Sequence, residues 1–169
     1  MELVGRMLDG SIPYSVKGAL PRTGLFGSRV SQDEKITRLS ETPLFEGCSR
    51  RQLKAVARIS EVREVPAGTV LTRKGADGDE FFLILDGKAR AVVTSRKRSI
   101  LGPDDFFGEM SLLDGGPRSA TVVAETAMRL LVIRRQDFSR LLSEVPELTR
   151  SLLTVLSRRV RRSEQAPNA

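Results

Sequence analysis

The hydrophobic pattern predicts helices towards both ends of the chain. Ser31-Gln32-Asp33-Glu34 and Ser49-Arg50-Arg51-Gln52 both have the layout of a capping box, and apolar residues at helical spacing follow each of them. Pro43-Leu44-Phe45 predicts a packed corner between these two helices. Past Ile133 the helical period returns, with Pro146 suited to the first turn of a helix.

From Val62 the pattern changes to short runs rich in Val, Ile, Leu and Phe that are separated by turn residues. This spacing predicts an antiparallel barrel or sandwich. Asp86-Gly87 lies between two such runs and predicts a tight hairpin, because glycine supplies the positive φ of that turn. Gly68, Gly75, Gly78 and Gly102 predict further turns. The runs are Val62 to Val65, Thr69 to Thr72, Glu80 to Leu85, Ala89 to Thr94, Arg98 to Leu101, Thr121 to Ala124 and Ala127 to Ile133.

Composition narrows the class of protein. The 169 residues suffice for one domain with a core. No apolar stretch reaches the about 18 residues of a membrane-spanning helix, and the start lacks the layout of a signal peptide. Cys48 cannot form an intrachain disulfide and is expected to be a small buried residue near a helix start. These features predict a cytoplasmic protein.

Charge and missing residue types bear on function. The formal charge of +7 favours anionic partners. Histidine is absent, so that Cys/His zinc sites, Ser-His-Asp triads and Cys-His dyads are excluded, which argues against an enzyme. The basic run from Arg158 to Arg162 is interpreted first as the solvated face of a helix. A contact to a nucleotide base or to an acidic partner stays open as an alternative.

The segment from Phe107 to Thr121 contains residue types that a bare barrel does not need. Gly108 lets the backbone approach a ligand closely, and the short helical stretch after it offers amide groups to an anion. Arg118 follows a rigid proline, and its planar fork matches two phosphate oxygens. Glu109 would repel phosphate but can accept a hydrogen bond from a hydroxyl, such as a ribose 2′-OH. Sugar and phosphate together indicate a nucleotide.

This segment resembles the phosphate-binding cassette of the cyclic-nucleotide-binding domain family, which reads approximately Phe-Gly-Glu-Leu-Ala-Leu, a spacer and Pro-Arg-Ala/Ser-Ala-Thr. The resemblance covers about Leu39 to Arg162. It implies a mainly β fold, an eight-stranded antiparallel β-roll with N-terminal helices and two C-terminal helices. We assign residues 31–164 to the binding domain, 163–169 to a tail and residues 1–30, which are rich in Gly, Ser and Pro, to a flexible or partly ordered N-terminal arm. Within the domain, we expect helices over 31–60, the roll over 62–134 with the cassette over 107–121, and the closing helices over 135–162, from Arg135 to Glu144 and Pro146 to Arg162.

The resemblance also implies roles for individual residues. Gly108 and Glu109 would hold the ribose 2′-OH, and Arg118 would pair with the cyclic phosphate. The backbone amides of Ser111 and Ser119 would complete the phosphate cradle. Met110 and Leu112 stand where the family uses apolar packing residues, Met110 being counted among the ligand-binding positions. Asp114 is interpreted as a turn residue.

The residue after the cassette arginine bears on the choice of ligand. In the family, threonine there accompanies cyclic GMP, whereas alanine or serine accompanies cyclic AMP, so Ser119 favours cyclic AMP. A serine hydroxyl could also reach guanine, and relatives of the fold bind cyclic di-GMP, so both stay as alternatives. A further alternative is a non-binding scaffold in which Glu109 and Arg118 form only a structural ion pair. No cofactor is expected besides the nucleotide ligand.

The favoured function is a stand-alone sensor whose nucleotide shifts the C-terminal helix and signals to a protein effector. Few residues follow Arg162, too few for a helix-turn-helix, so we expect no sequence-specific DNA binding. A phosphodiesterase would need metal-bound water, for which the cassette has no ligand set. A regulatory piece of a channel or kinase is another hypothesis, although Met1 and the polar end favour a complete chain. The last helix could pack within a monomer or form a homodimer.

Overall fold

The β-strands form two antiparallel four-stranded sheets in a computed structural model of the chain, which describes Phe26 and residues 29–165. The sheet orders are β1-β8-β3-β6 and β2-β7-β4-β5. This confirms the eight-stranded β-roll. The predicted arm lies outside the described residues except for Phe26, Arg29 and Val30. The strands are β1 (Glu61–Val65), β2 (Val70–Thr72), β3 (Glu80–Asp86), β4 (Ala89–Val92), β5 (Arg98–Leu101), β6 (Phe106–Phe107), β7 (Thr121–Ala124) and β8 (Met128–Arg134).

The core of the roll is built from strand residues that sequence alone marks as apolar. β3 is buried along its whole middle, which explains why its apolar residues form a continuous run instead of alternating with polar ones. One buried cluster joins β3 and β8 to strands of both sheets. Its members are Val65, Leu71, Phe82, Ile84, Ala89, Phe107, Val122, Ala124, Met128, Leu130 and Val132.

The predicted hairpin at Asp86-Gly87 is wrong, although the turn itself is present. Gly87 has a φ of +93°, as the sequence required. The strands on either side belong to different sheets, and β4 pairs with β5 and β7 rather than with β3. The turn therefore connects a strand of one sheet to a strand of the other. The strand that pairs with β4 is set by contacts with β5 and β7 and not by this turn.

The helices are α1 (Gln32–Glu41), a 3₁₀ turn (Pro43–Phe45), α2 (Arg50–Ile59), α3 (Glu109–Asp114), α4 (Arg135–Glu144) and α5 (Pro146–Gln165). The capping box of α2 is present, and Ser31 accepts a bond from the amide of Glu34 at the start of α1. α5 continues past Arg162, where we expected it to end. Residues 163–165 include neither glycine nor proline and are compatible with a helix, so the helix extends through them. Within the described residues, no helix has both the length and the apolarity needed to cross a membrane.

The chain divides into two compact units, and each is described by itself. One contains residues 62–132 and thus most of the two sheets. The other contains residues 30–61 and the chain from Ile133 onward, with α1, α2, α4 and α5. Inside the second unit, Gln52 of α2 donates a hydrogen bond of 3.1 Å to Glu147 of α5. The boundaries assigned from sequence stay predictions.

Cys48 immediately precedes the N-cap of α2 and is half-buried. Burial raises the pKa of its thiol, and the nearby Glu147 carboxylate raises this pKa further. Both effects disfavour the thiolate, which is the reactive form. The position therefore behaves as a packing residue rather than as a reactive thiol.

Lys35 of α1 is a buried cation that serves the end of α2. Its side chain is 8% exposed, and Nζ donates to the carbonyl oxygens of Ala57 at 3.2 Å and Ser60 at 2.8 Å. Carbonyls at a helix C-terminus lack partners within the helix, so the amine supplies a donor to the Ser60 carbonyl and shares the Ala57 carbonyl with the hydroxyl of Ser60. Burial lowers the pKa of Lys35, and the charge of Glu61 opposes this change.

We predict that the stability advantage of the natural chain over Lys35→Met grows as the pH rises. In the folded protein the pKa of Lys35 lies below the ordinary value of 10.5. The unfolded chain therefore binds the ammonium proton of Lys35 more tightly than the folded chain does. Protonation therefore penalises the folded state at neutral pH. That penalty disappears as the pH rises through the folded-state pKa towards 10.5.

Urea unfolding of both proteins between about pH 7 and about pH 10 measures this difference. Lys54→Met, at an exposed position of α2, controls for the loss of one positive charge. A difference that stays constant or shrinks with pH would contradict the buried-amine interpretation.

Candidate functional site

The cassette predicted from the sequence begins on β6 and ends at Thr121, the first residue of β7. β6 pairs with the start of β3, with Phe82 opposite Phe107 and Leu83 opposite Phe106. The rings of Phe82 and Phe107 stack with centroids 4.8 Å apart. A strand of only two residues is thus fixed by aromatic packing as well as by its ladder. This arrangement sets the position at which the chain leaves the sheet and enters α3.

Gly108 makes the turn between β6 and α3. It has a φ of +89°, in the left-handed region that favours glycine. A Cβ atom there would lie 2.7 Å from Nη1 of Arg118 and 2.8 Å from the carbonyl oxygen of Glu80. The position therefore needs glycine for its backbone conformation and for the close approach of neighbouring polar groups.

The two faces of α3 differ sharply in exposure. Glu109, Ser111 and Leu112 are buried, with 3%, 1% and 7% of their surfaces exposed. Met110 is 49% exposed, so it does not have the full packing role expected for it. Its place on the outer face of a short helix accounts for this difference. Asp114 is the last residue of α3, and its side chain accepts a hydrogen bond of 2.8 Å from the amide of Gly116 in the turn that follows the helix.

Arg118 is the buried cation of the cassette. Only 6% of its surface is exposed. Its Nη1 donates to the carbonyl oxygen of Gly108 and its Nη2 to the carbonyl oxygen of Glu80, both at 2.8 Å. The guanidinium carbon also lies 5.9 Å from the centroid of the Phe82 ring. Hydrogen bonds of this kind offset the cost of burying a charge.

The backbone of Arg118 is held as firmly as its side chain. Its amide donates to the carbonyl of Ala76, and its own carbonyl accepts from the amide of Gly75, both at 2.8 Å. The loop between β2 and β3 is thereby bonded to the end of the cassette. The backbone and the side chain of Arg118 are thus both held by hydrogen bonds within the protein.

Glu80 contributes to the site through its backbone, which sequence analysis did not foresee. Its side chain forms a bidentate pair with Arg63, at 2.8 and 3.2 Å. Its carbonyl oxygen, at the first residue of β3, accepts from Arg118. Glu80 carries no motif signal, because it acts through its backbone carbonyl.

The structure places the predicted site residues along one continuous segment. Gly108 and Arg118 are joined by a direct hydrogen bond. Glu109 and Ser111 lie on the buried face of the helix that Gly108 begins, and Ser119 is exposed directly after Arg118. Within residues 29–165, no three His, Cys, Asp or Glu side chains are grouped so that they could hold a metal ion. The geometry provides a buried cation and a polar helix face, and the individual ligand roles stay predictions.

Comparison with known proteins gives consistent matches. A family model described as the cyclic nucleotide-binding domain matches residues 62–145. A cyclic nucleotide-gated potassium channel of Rhizobium etli is 37% identical over 93% of this chain and 46% of the channel. A cyclic AMP receptor protein of Thermus thermophilus is 34% identical over 73% of this chain and 59% of its own length. The crystal structure of a catabolite activator protein from Thermus thermophilus matches with a TM-score of 0.67 and 33% identity, over 73% of this chain and 60% of that one. The chain thus spans less than two thirds of these relatives.

We predict that Gly108→Ala destabilises the protein more than Gly75→Ala does. Both glycines have a φ in the left-handed region, +89° and +84°, where an alanine costs about 1–2 kcal/mol. A Cβ at Gly75 meets nothing within 4 Å, whereas one at Gly108 meets Arg118 and Glu80. Urea unfolding measures the decrease in the free energy of unfolding for both variants. The additional decrease for Gly108→Ala reports the cost of the contacts that its Cβ makes with Arg118 and Glu80. Equal losses would show that backbone strain alone requires Gly108.

Proposed function

Because the chain belongs to the cyclic nucleotide-binding domain family, we propose that it binds a cyclic nucleotide monophosphate and that this nucleotide is cyclic AMP. The observation that carries the proposal is the buried guanidinium of Arg118, bonded to the carbonyls of Gly108 and Glu80. A guanidinium is a planar fork of N–H donors, and its geometry matches two phosphate oxygens.

The cassette residues then have distinct roles. Arg118 pairs with the cyclic phosphate, and the backbone amides of Ser111 and Ser119 add further donors. Gly108 and Glu109 bind the ribose 2′-OH. Burial of Glu109 supports this role, because a carboxylate shielded from water forms a stronger hydrogen bond with a hydroxyl. Met110 lies on the exposed face of α3, so its side chain is accessible to solvent.

The choice of cyclic AMP rests on two observations. Ser119 follows the cassette arginine, the position at which serine or alanine accompanies cyclic AMP in the family. The Thermus thermophilus relative is named a cyclic AMP receptor protein. In this proposal the nucleotide is a reversible ligand and not a substrate, since the cassette offers neither histidines nor a clustered set of carboxylates to hold metal-bound water. Cyclic GMP and cyclic di-GMP are the competing ligands.

We predict that cyclic AMP binds with micromolar or tighter affinity, a binding free energy of about −8 kcal/mol or lower. Arg118→Ala should weaken binding by roughly tenfold to a hundredfold, because it removes charged hydrogen bonds to the phosphate. Isothermal titration calorimetry measures both values. Arg98→Ala, at an exposed position of β5, is the matched control for the loss of one arginine charge and should leave the affinity unchanged.

The other ligands distinguish the alternatives in the same experiment. 5′-AMP reports nonspecific attraction to a basic protein and should not compete. Tighter binding of cyclic GMP or cyclic di-GMP would contradict the assignment of cyclic AMP. No heat with any nucleotide would favour a non-binding scaffold with this fold. Recovery of unchanged cyclic AMP after prolonged incubation tests the absence of hydrolysis.

We also infer that nucleotide binding changes the conformation of α5 and that a protein effector reads this change. Leu153 and Val160 on this helix are 60% and 57% exposed, although both are apolar. Burying such apolar side chains in another conformation of the helix would lower the free energy of that conformation. The nucleotide can shift the helix only as far as it binds the two conformations with different affinity.

We predict that cyclic AMP slows or speeds amide hydrogen exchange in α5 by at least about tenfold, because exchange reports the local opening of helices. Hydrogen exchange with mass spectrometry measures this for peptides covering Pro146–Gln165. Arg118→Ala with the same nucleotide is the control and should show no change. Unaltered α5 exchange at saturating cyclic AMP would contradict the proposed response.

A further inference from the structure

Gly78, in the loop between β2 and β3, borders the side chain of Arg118. A Cβ atom at this position would lie 1.9 Å from Nε of Arg118, 2.2 Å from Cζ and 2.7 Å from Cδ. Non-bonded atoms cannot remain at such distances, since favourable carbon contacts begin near about 3.5 Å. The guanidinium thus occupies the space that any side chain at residue 78 would fill.

The backbone at Gly78 does not itself require glycine. Its φ lies outside the positive range found at Gly75 and Gly108. An L-residue could therefore adopt this conformation without the strain that those two positions impose. The absent side chain has one evident consequence, which is room for Arg118.

The surrounding bonds leave Arg118 little freedom to avoid a side chain at residue 78. The loop carrying Gly78 is bonded on its N-terminal side to the backbone of Arg118, through Gly75 and Ala76. The guanidinium is held on its other side by the carbonyls of Gly108 and Glu80. A side chain at residue 78 would have to break one of these two sets of bonds.

We propose that Gly78 is a positioning residue for phosphate recognition, because it provides the slot in which the guanidinium of Arg118 is held in its binding orientation. This inference rests on the proposed function, in which Arg118 binds the cyclic phosphate. Gly78 acts through Arg118, and the proposal assigns it no contact with the nucleotide. Substitution should therefore weaken binding by displacing Arg118 while the roll still folds.

The first test compares the affinity of graded variants for cyclic AMP. Gly78→Ala should weaken binding and Gly78→Val should weaken it by tenfold or more, since the larger side chain moves the guanidinium further. Gly102→Ala and Gly102→Val are matched controls, because Gly102 also lacks a positive φ and a Cβ there meets nothing within 4 Å. The controls should bind like the natural chain. Equal affinity of all four variants would overturn the proposal.

The second test needs no nucleotide and separates this inference from the proposed function. Gly78→Val should lower the melting temperature when Arg118 is present and should leave it unchanged in an Arg118→Ala background, where the slot is empty. A purely structural role for Gly78 would lower it equally in both backgrounds, and that result would overturn the proposal. If the natural chain fails to bind cyclic AMP but this coupling is found, the proposed function is wrong. The inference that Gly78 makes room for the side chain of Arg118 is then still supported.

Discussion

The burial of one positive charge constrains the architecture of the candidate site. Arg118 is almost fully enclosed, and an enclosed guanidinium is stable only if carbonyls or anions accept its hydrogen bonds. One acceptor is the carbonyl of Gly108, which lies in the left-handed turn that starts α3. The other is the carbonyl of Glu80, the first residue of β3. The turn, the strand and the cassette helix are thus all tied to one side chain.

Parts of both the fold and the site could be predicted because their signals are local. The capping box at Ser49 depends on residues within one helical turn, and the glycine of the Gly108 turn depends on the φ of that residue alone. The cassette is likewise one continuous stretch of sequence, so its residues could be named before the structure was known. The elements that were predicted correctly are those whose conformation is determined by residues close together in the sequence.

The remainder depends on pairing between residues far apart in the sequence. Asp86-Gly87 has the local chemistry of a hairpin, yet the strands beside it belong to different sheets because β4 pairs with β7. β6 is only two residues long, so no alternation of polar and apolar residues could reveal it. Gly78 could be identified as a turn glycine, but its contact with Arg118 bridges 40 positions of the chain and has no local signature.

Holding Arg118 in place before a ligand arrives has an energetic consequence for recognition. A long side chain that must be ordered on binding costs roughly 0.5–1.5 kcal/mol of affinity. Here the two carbonyl bonds already impose that order during folding, so the cost falls on protein stability rather than on binding. A lysine could not reproduce this arrangement, because a single ammonium is a point charge without the separated donors that reach both carbonyls. The geometry therefore favours arginine specifically, and under the proposed function it makes the accuracy of the slot around the guanidinium a determinant of affinity.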